Sequence, residues 1–391
     1  MIRSFTYVLH PLAAQRSTLH GWREQCCELY NAALEQRRDA WKKHRKSISL
    51  YEQQVQLTDL RKEPEFASVP VWVQRSALRR VDLAFQGFFR RCKSGEKAGF
   101  PRFKSRDRYD SFDLGTDPVK VERADRKRGS GYVHVPRMGR VRFKEHQPLR
   151  GEVREVSLHF DSAKDRWTVR FVCDVGPAPE KRTVSSVTGI DLGLKEFAVL
   201  DSSEAIANPR HFKHGAESLA RAQRVLARKR KGSNSRHRAR QAVARAHARI
   251  ANQRLDFHRK LAKQLCERFD LIAHEALNVR GLSRGILSKS VHDAGWGSFL
   301  RTLHRKAEET GVHVVAVDPR HTTQLCSACG TLVPKGLGDR VHACSCGLTL
   351  DRDHNAAINI LARGLRASPA ATSDIAQSMG KARDQQEGEG V

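Results

Sequence analysis

The chain has 391 residues, 39% hydrophobic and 29% charged, with 71 Lys+Arg against 43 Asp+Glu and a net charge of +28. That length suits two or three domains with a sizeable core, and the proportions exclude a disordered or fibrous chain. So large a positive excess makes a compact chain repel itself unless a polyanion offsets it, so nucleic acid is the leading partner and an enzyme of neutral metabolites is disfavoured.

From the N-terminus, Met1–His10 alternates like a strand and lacks the apolar block of a signal peptide. Beyond Pro11, Leu19, Trp22, Cys26, Leu29, Tyr30 and Leu34 recur at helical spacing, and a second helix carries Val71, Val73, Leu78, Val81, Leu83, Phe85, Phe88 and Phe89 up to Ser94-Gly95. The loop Gly99-Phe100-Pro101-Arg102-Phe103-Lys104 mixes aromatics with cations. From Phe112 to Val175 the period shortens to that of antiparallel strands, so this half reads as a β-unit with a helical insertion.

Pro177 to Arg182 reads as a linker. Val187–Gly193 and Phe197–Leu200 then form an apolar hairpin pattern. Arg221 to Lys263 follows, with 15 Lys/Arg and a single acid, Asp256; Gly232-Ser233-Asn234-Ser235 divides it into two helices. A charge run is commonly a solvated helix face, but with almost no acids to pair with, this one reads as a surface that tracks phosphates. Buried strands are predicted at Leu271–Glu275 and Val312–Asp318, with a helix bearing Trp296, Phe299, Leu300, Leu303 and Ala307 between them, which suggests a parallel or mixed sheet with covering helices. Residues 367–391 are poor in large apolar groups and are expected to be a disordered tail.

Two constellations carry chemistry. Cys326-Ser327-Ala328-Cys329 and, after a gap of 14 residues, Cys344-Ser345-Cys346 form two knuckles, each followed by glycine, the pattern of a four-thiolate Zn²⁺ ribbon. Four thiolates leave no open coordination position, so a structural role is favoured; His342 is a substitute ligand in principle. With no secretory signal, this clustering favours a reducing, cytoplasmic compartment near the cell's DNA. No apolar run of about 18 residues exists, so no membrane partner is expected. The second constellation is acidic: Asp191, Glu275 and Asp353 each stand at the end of a predicted element, and their hard oxygens suit Mg²⁺ or Mn²⁺. Singly, each has a plainer reading. Asp351 or Asp353 could cap a helix, Glu275 could pair with His274 or Arg280, Asp191 could close a turn, and Asp318 is a rival strand-end acid.

Taken together, Gly189-Ile190-Asp191-Leu192-Gly193-Leu194-Lys195, His274-Glu275-Ala276-Leu277, Cys326–Gly330 and Asp351-Arg352-Asp353-His354-Asn355-Ala356-Ala357-Ile358-Asn359-Ile360 resemble, in order, the motifs of the TnpB family of transposon-encoded proteins related to type V CRISPR effectors. The resemblance extends to Leu29-Tyr30-Asn31, to Phe88-Phe89 with Gly99–Phe103, and to Ser290-Val291-His292-Asp293-Ala294-Gly295-Trp296. It implies an α/β plus β architecture: a RuvC-like (RNase H-like) nuclease domain at 185–319 and 348–366 and an inserted zinc ribbon at 320–347. A β-barrel-like wedge domain at 1–10 and 106–180 would carry a helical recognition lobe at 11–105. It further implies an RNA-guided DNA endonuclease whose partners are a guide RNA and double-stranded target DNA. Asp191, Glu275 and Asp353 would be the catalytic, metal-binding acids, and Cys326, Cys329, Cys344 and Cys346 the zinc ligands. The C-x-C knuckle departs from the family's usual C-x-x-C. Arg102, Lys104, Arg228, Lys229, Arg230, Arg245 and Arg249 are candidate phosphate contacts, and a surface helix bearing Gln74 and Arg75 is a candidate to face duplex DNA. A monomer is favoured. Two alternatives are a guide-directed repressor that binds without cutting and a guide-independent RuvC-type nuclease; retention of all three acids favours cleavage over the first, and the long N-terminal half argues against the second.

Overall fold

The computed structural model describes residues 1–115, 120–125, 129–336 and 338–368. The proposed tail beyond residue 368 therefore lies outside the described residues. The chain divides into two units, Met1–Pro177 and Ala178 onward, and the break falls in the stretch read as a linker.

In the first unit, β1 (Ile2–His10) alternates as its sequence does, with Phe5, Tyr7 and Leu9 buried. It is followed by four helices, α1 (Ala13–His44), α2 (Leu50–Leu60), α3 (Pro64–Ala67) and α4 (Val71–Lys93), and then by six strands. These are β2 (Ser111–Gly115), β3 (Val121–Asp125), β4 (Ser130–Val135), β5 (Gly139–Lys144), β6 (Glu152–Asp161) and β7 (Arg166–Asp174). The sheet order is β2-β6-β7-β1-β5-β4-β3, so the first strand lies between two strands made more than a hundred residues later. Every pair is antiparallel. The helices are thus an insertion into one β-unit, as the change of hydrophobic period indicates. Among the described residues no pair joins β2 to β3, so the sheet is open at both ends and the expected barrel closure is absent from these pairings. Tyr7, Phe112, Phe143, Trp167 and Phe171 fill the core together with Leu19 and Trp22 of α1.

The sequence pattern finds α1 and α4 but misses α2. Its signal is local: Ser49 accepts from the Glu52 amide, and the Glu52 carboxylate accepts from the Ser49 amide at 2.7 Å, the reciprocal capping box that S-x-x-E encodes.

The second unit holds a mixed sheet of order β10-β9-β8-β11-β12. Here β8 (Val187–Leu192), β9 (Glu196–Leu200) and β10 (Ala205–Ala207) run antiparallel, whereas β11 (Leu271–Glu275) lies parallel to β8 and β12 (His313–Val317) parallel to β11. Two long helices, α5 (His211–Ala227) and α6 (Asn234–Arg268), cross from β10 to β11 and break where Gly232–Ser235 predicts. Between β11 and β12 lie α7 (Val279–Leu282), α8 (Ser288–Ala294) and α9 (Trp296–Thr310). A small hairpin, β13 (Val341–Ala343) and β14 (Thr349–Asp351), leads into α10 (Arg352–Arg366), which packs on β8 and β11. Contact there is close enough to require glycine, since a Cβ on Gly189 would overlap the Ala357 carbonyl and one on Gly364 would overlap Ala273. No helix among the described residues is long and apolar enough to cross a membrane.

Candidate functional site

The acids converge at the C-terminal edge of the parallel strands. Ile190 of β8 pairs with His274 of β11, which sets Asp191 and Glu275 side by side one residue further along. Both are buried, at 7% and 8% exposure. Asp353 enters from the first turn of α10. Burial holds the Asp191 carboxyl well above the usual carboxylate range, and the charges of Glu275 and Asp353 push it further up. Burial raises Glu275 as well, opposed by a hydrogen bond from the Thr322 hydroxyl to its Oε1 and by the Arg363 charge. Buried carboxylates that repel one another are costly unless a cation sits among them.

The plainer readings separate residue by residue. Asp351 is the helix cap, accepting from the amides of Asp353 at 2.8 Å and His354 at 3.3 Å, which leaves Asp353 free of that task. Asp353 instead meets Arg352 Nε at 3.2 Å and Arg340 Nη1 at 3.9 Å. Asp318 is exposed, and its carboxylate turns onto the Arg320 amide at 3.0 Å, so this rival acid serves its own loop. His274 does not pair with the Glu275 carboxylate; its ring nitrogens meet the Glu275 carbonyl at 2.8 Å and His304 Nε2 at 3.0 Å.

Among the described residues, the group of ligand-type side chains drawn close enough to hold a metal ion is the four sulfurs. Sγ atoms of Cys326, Cys329, Cys344 and Cys346 all lie within 4.8 Å of one another, with Cys326–Cys346 at 3.7 Å and Cys329–Cys344 at 3.5 Å. A tetrahedral zinc with Zn–S bonds of about 2.3 Å spaces its sulfurs about 3.8 Å apart, so the donor set fits that ion, the C-x-C knuckle included. The Thr331 hydroxyl and amide draw the Cys329 thiol down to about 6, whereas Cys346, crowded by the other three sulfurs, is pushed up to about 12. Without a cation, this crowding opposes full ionisation.

Sequence reasoning missed the residues that join the helix of Asp353 to the cysteine knuckle. Asn355 receives the Ser327 amide at 3.0 Å and donates to the Leu325 carbonyl at 2.8 Å; Asn359 donates to the carbonyls of Thr322 at 2.9 Å and Leu325 at 2.7 Å. Both asparagines lie one helical turn apart on α10, so the helix bearing Asp353 is stapled to the first cysteine knuckle. The i, i+4 spacing of two asparagines in Asn355-Ala356-Ala357-Ile358-Asn359 was the available signal. Likewise, the stretch Ser290–Trp296 holds the basic helices in place. Asp293 accepts from the first amides of α5, Phe212 at 2.7 Å and Lys213 at 3.2 Å, and His258 of α6 meets the Ala294 carbonyl at 3.0 Å.

The cationic candidates divide. Arg228, Lys229 and Arg230, in the turn after α5, and Arg245 and Arg249 on α6 are exposed, as are Arg75 and Arg102. Two expectations are corrected. Gln74 is fully buried, its amide donating to Gln25 at 2.9 Å and the Phe66 carbonyl at 2.8 Å, so it is a packing residue of α4 and not a surface reader of DNA. Lys104 is half-buried, with its ammonium over the rings of Tyr30 at 5.0 Å and Tyr109 at 5.5 Å, which turns it away from a free phosphate-binding role.

The mixed sheet with its covering helices and the attached four-cysteine knuckle define an α/β fold, and comparisons with known proteins place it among relatives. A family model described as "Probable transposase" (OrfB_IS605) matches residues 170–285, and one described as "Cas12f1-like, TNB domain" matches residues 296–360. A Streptomyces pristinaespiralis protein named "Putative RNA-guided DNA endonuclease" is 34% identical over 94% of this chain and 90% of its own length. The Escherichia coli K12 "Putative RNA-guided DNA endonuclease InsQ" is 26% identical over 93% of this chain and 92% of its own. A mimivirus "TnpB-like protein L770" matches 58% of this chain at 28% identity. Among solved structures, a Cas12f1–sgRNA–target DNA complex shares the fold, with a TM-score of 0.61 at 14% identity over 89% of this chain and 83% of that one. The chain belongs to the TnpB family.

Proposed function

We propose that this chain is an RNA-guided DNA endonuclease encoded by a transposable element, hydrolysing phosphodiester bonds at Asp191, Glu275 and Asp353. The observation that carries this reading is the meeting of three sequence-distant acids at one sheet edge, two of them buried and with their carboxyls raised. Mg²⁺ or Mn²⁺, when bound there, would activate a water and stabilise the leaving oxygen. The chain's own residues present the hard oxygens, with Thr322 fixing the rotamer of Glu275 and Arg352 and Arg340 steering the carboxylate of Asp353. Exposed cations on α5 and α6 suit a nucleic-acid backbone, and pairing with the guide would supply sequence selection. In this reading the wedge (1–10 and 106–180) and recognition lobe (11–105) take up the first unit and the opening residues of the second. The second supplies the nuclease domain (185–319 and 348–366) and the structural zinc ribbon (320–347).

The test uses purified chain with its copurifying RNA and Mg²⁺. A matched duplex should be cut, and Asp191→Ala should bind that duplex without cutting it. Equal cutting by the variant would overturn the site, cutting that survives removal of the RNA would favour a guide-independent nuclease, and wild-type binding without cutting would favour a repressor.

A further inference from the structure

Half of the apolar stripe of α4 does not enter the core. Val73, Leu78 and Val81 are buried, but Phe89 is 55% exposed. Phe85, Phe88 and Phe89 line a cavity of about 360 Å³ together with Trp41, Arg37 and Phe100, within the size range of small-ligand sites. The rings are arranged for contact: Phe85 and Phe89 lie 6.1 Å apart and nearly parallel, while Phe100 stands edge-on to Phe85 at 5.6 Å and to Phe88 at 5.5 Å. Trp41 and Phe100 remain about half exposed.

The wall containing Phe100 is anchored. Asn31 clamps the Lys104 backbone from both sides, receiving its amide at 2.9 Å and donating to its carbonyl at 2.8 Å, and the Tyr30 hydroxyl donates to the Arg102 carbonyl at 3.4 Å. Such fixed, solvent-facing aromatics are the platforms on which unpaired bases stack.

Two further features suit a ligand. Arg37, nine-tenths buried, stiffens the cavity wall: its Nη1 meets Asp82 at 3.0 Å and its Nε meets Gln53 at 2.9 Å. The rim carries exposed Lys42 and Lys46, suited to flanking phosphates.

We propose that this cavity holds one unpaired base of the guide RNA, stacked on Trp41 and the phenylalanines. RNA is the favoured strand because sequence-specific RNA recognition targets unstacked bases of loops and ends. The inference rests on the proposed function for its ligand.

The experiment uses the full chain with its guide transcribed to contain 4-thiouridine or, separately, 6-thioguanosine. After irradiation, digestion and mass spectrometry, crosslinks should fall on Trp41, Phe89 or Phe100. The double variant Trp41→Ala/Phe100→Ala should bind the guide roughly tenfold or more weakly, the scale of losing a base stack, and Trp41→Phe should retain binding within about threefold. Unchanged affinity of the double variant with no crosslink in the cavity would overturn the assignment while leaving the proposed function intact, as would crosslinks there to a thio-labelled DNA strand in place of RNA. A wild-type chain that retains no RNA would overturn the proposed function and the pocket with it.

Discussion

The four sulfurs and the three carboxylates proposed as ligands are both sets of groups of like charge when ionised, yet the chain assembles them in opposite ways. Cys326, Cys329, Cys344 and Cys346 come from two tight knuckles close in sequence, with only Cys326 buried, and lie within 4.8 Å of one another. Asp191, Glu275 and Asp353 come from two strands and a helix far apart in the chain, and two of the three are sealed into a sheet edge where burial and mutual repulsion lift Asp191. A soft-ligand site can be written locally because knuckle turns hold the sulfurs. A hard-ligand site with a raised carboxyl needs the whole sheet to hold together what electrostatics would separate.

The largest effect that sharpens this contrast is at Asp191. Asp191→Asn is expected to lower cleavage by more than about a hundredfold, beyond the range for losing a mere supporting residue, measured as single-turnover cutting. The same substitution should raise the melting temperature at pH 7 in metal-free buffer. The fold favours the neutral carboxyl, so the stabilising contribution is fully present below the ordinary carboxylate value of the unfolded chain and is lost as pH rises from there through the raised folded-state value. Wild-type stability should therefore fall as pH climbs out of the ordinary carboxylate range, and the variant should show a flatter profile. Equal melting temperatures at pH 7 would refute the buried-repulsion account.

Next in size is the knuckle. Cys329→Ala should abolish stoichiometric zinc, read by elemental analysis, and lower cutting through the asparagine staple, with RNA retention largely spared. Thr322→Val, which removes the hydroxyl donated to Glu275, should reduce cleavage about 10- to 100-fold at little cost in stability, measured by parallel cutting and melting assays. Asn359→Ala breaks two hydrogen bonds to the knuckle and should destabilise the second unit by about 1–3 kcal/mol in denaturant titrations. Smallest is the double variant Arg245→Ala/Arg249→Ala, expected to weaken RNA binding and to reduce the slope of log affinity against log salt by roughly two; an unchanged slope would remove these arginines from the phosphate surface.

The sequence made much of this legible because several signals are one-dimensional. Hydrophobic period separated helices from strands, Gly232–Ser235 marked the break between α5 and α6, and cysteine spacing located the knuckles. The errors share a cause. Gln74 lies on a helix whose polar residues read as surface, but neighbours from α1 and the segment before α4 close over it. Lys104 counted as a free cation until two tyrosines took its charge. Neither Thr322 nor the paired asparagines have a local signature strong enough to reveal what they hold.

By itself, then, the sequence determined residue types and local geometry: which segments coil or extend, where they cap, which thiols can share a metal, and how much positive charge the surface bears. Tertiary structure alone decided which acid caps a helix and which faces Asp191, which cations stay in solvent, and which half of the α4 aromatic stripe is left open. The physical reason is that burial and electrostatic coupling depend on distances between elements, and only the closed sheet sets those distances.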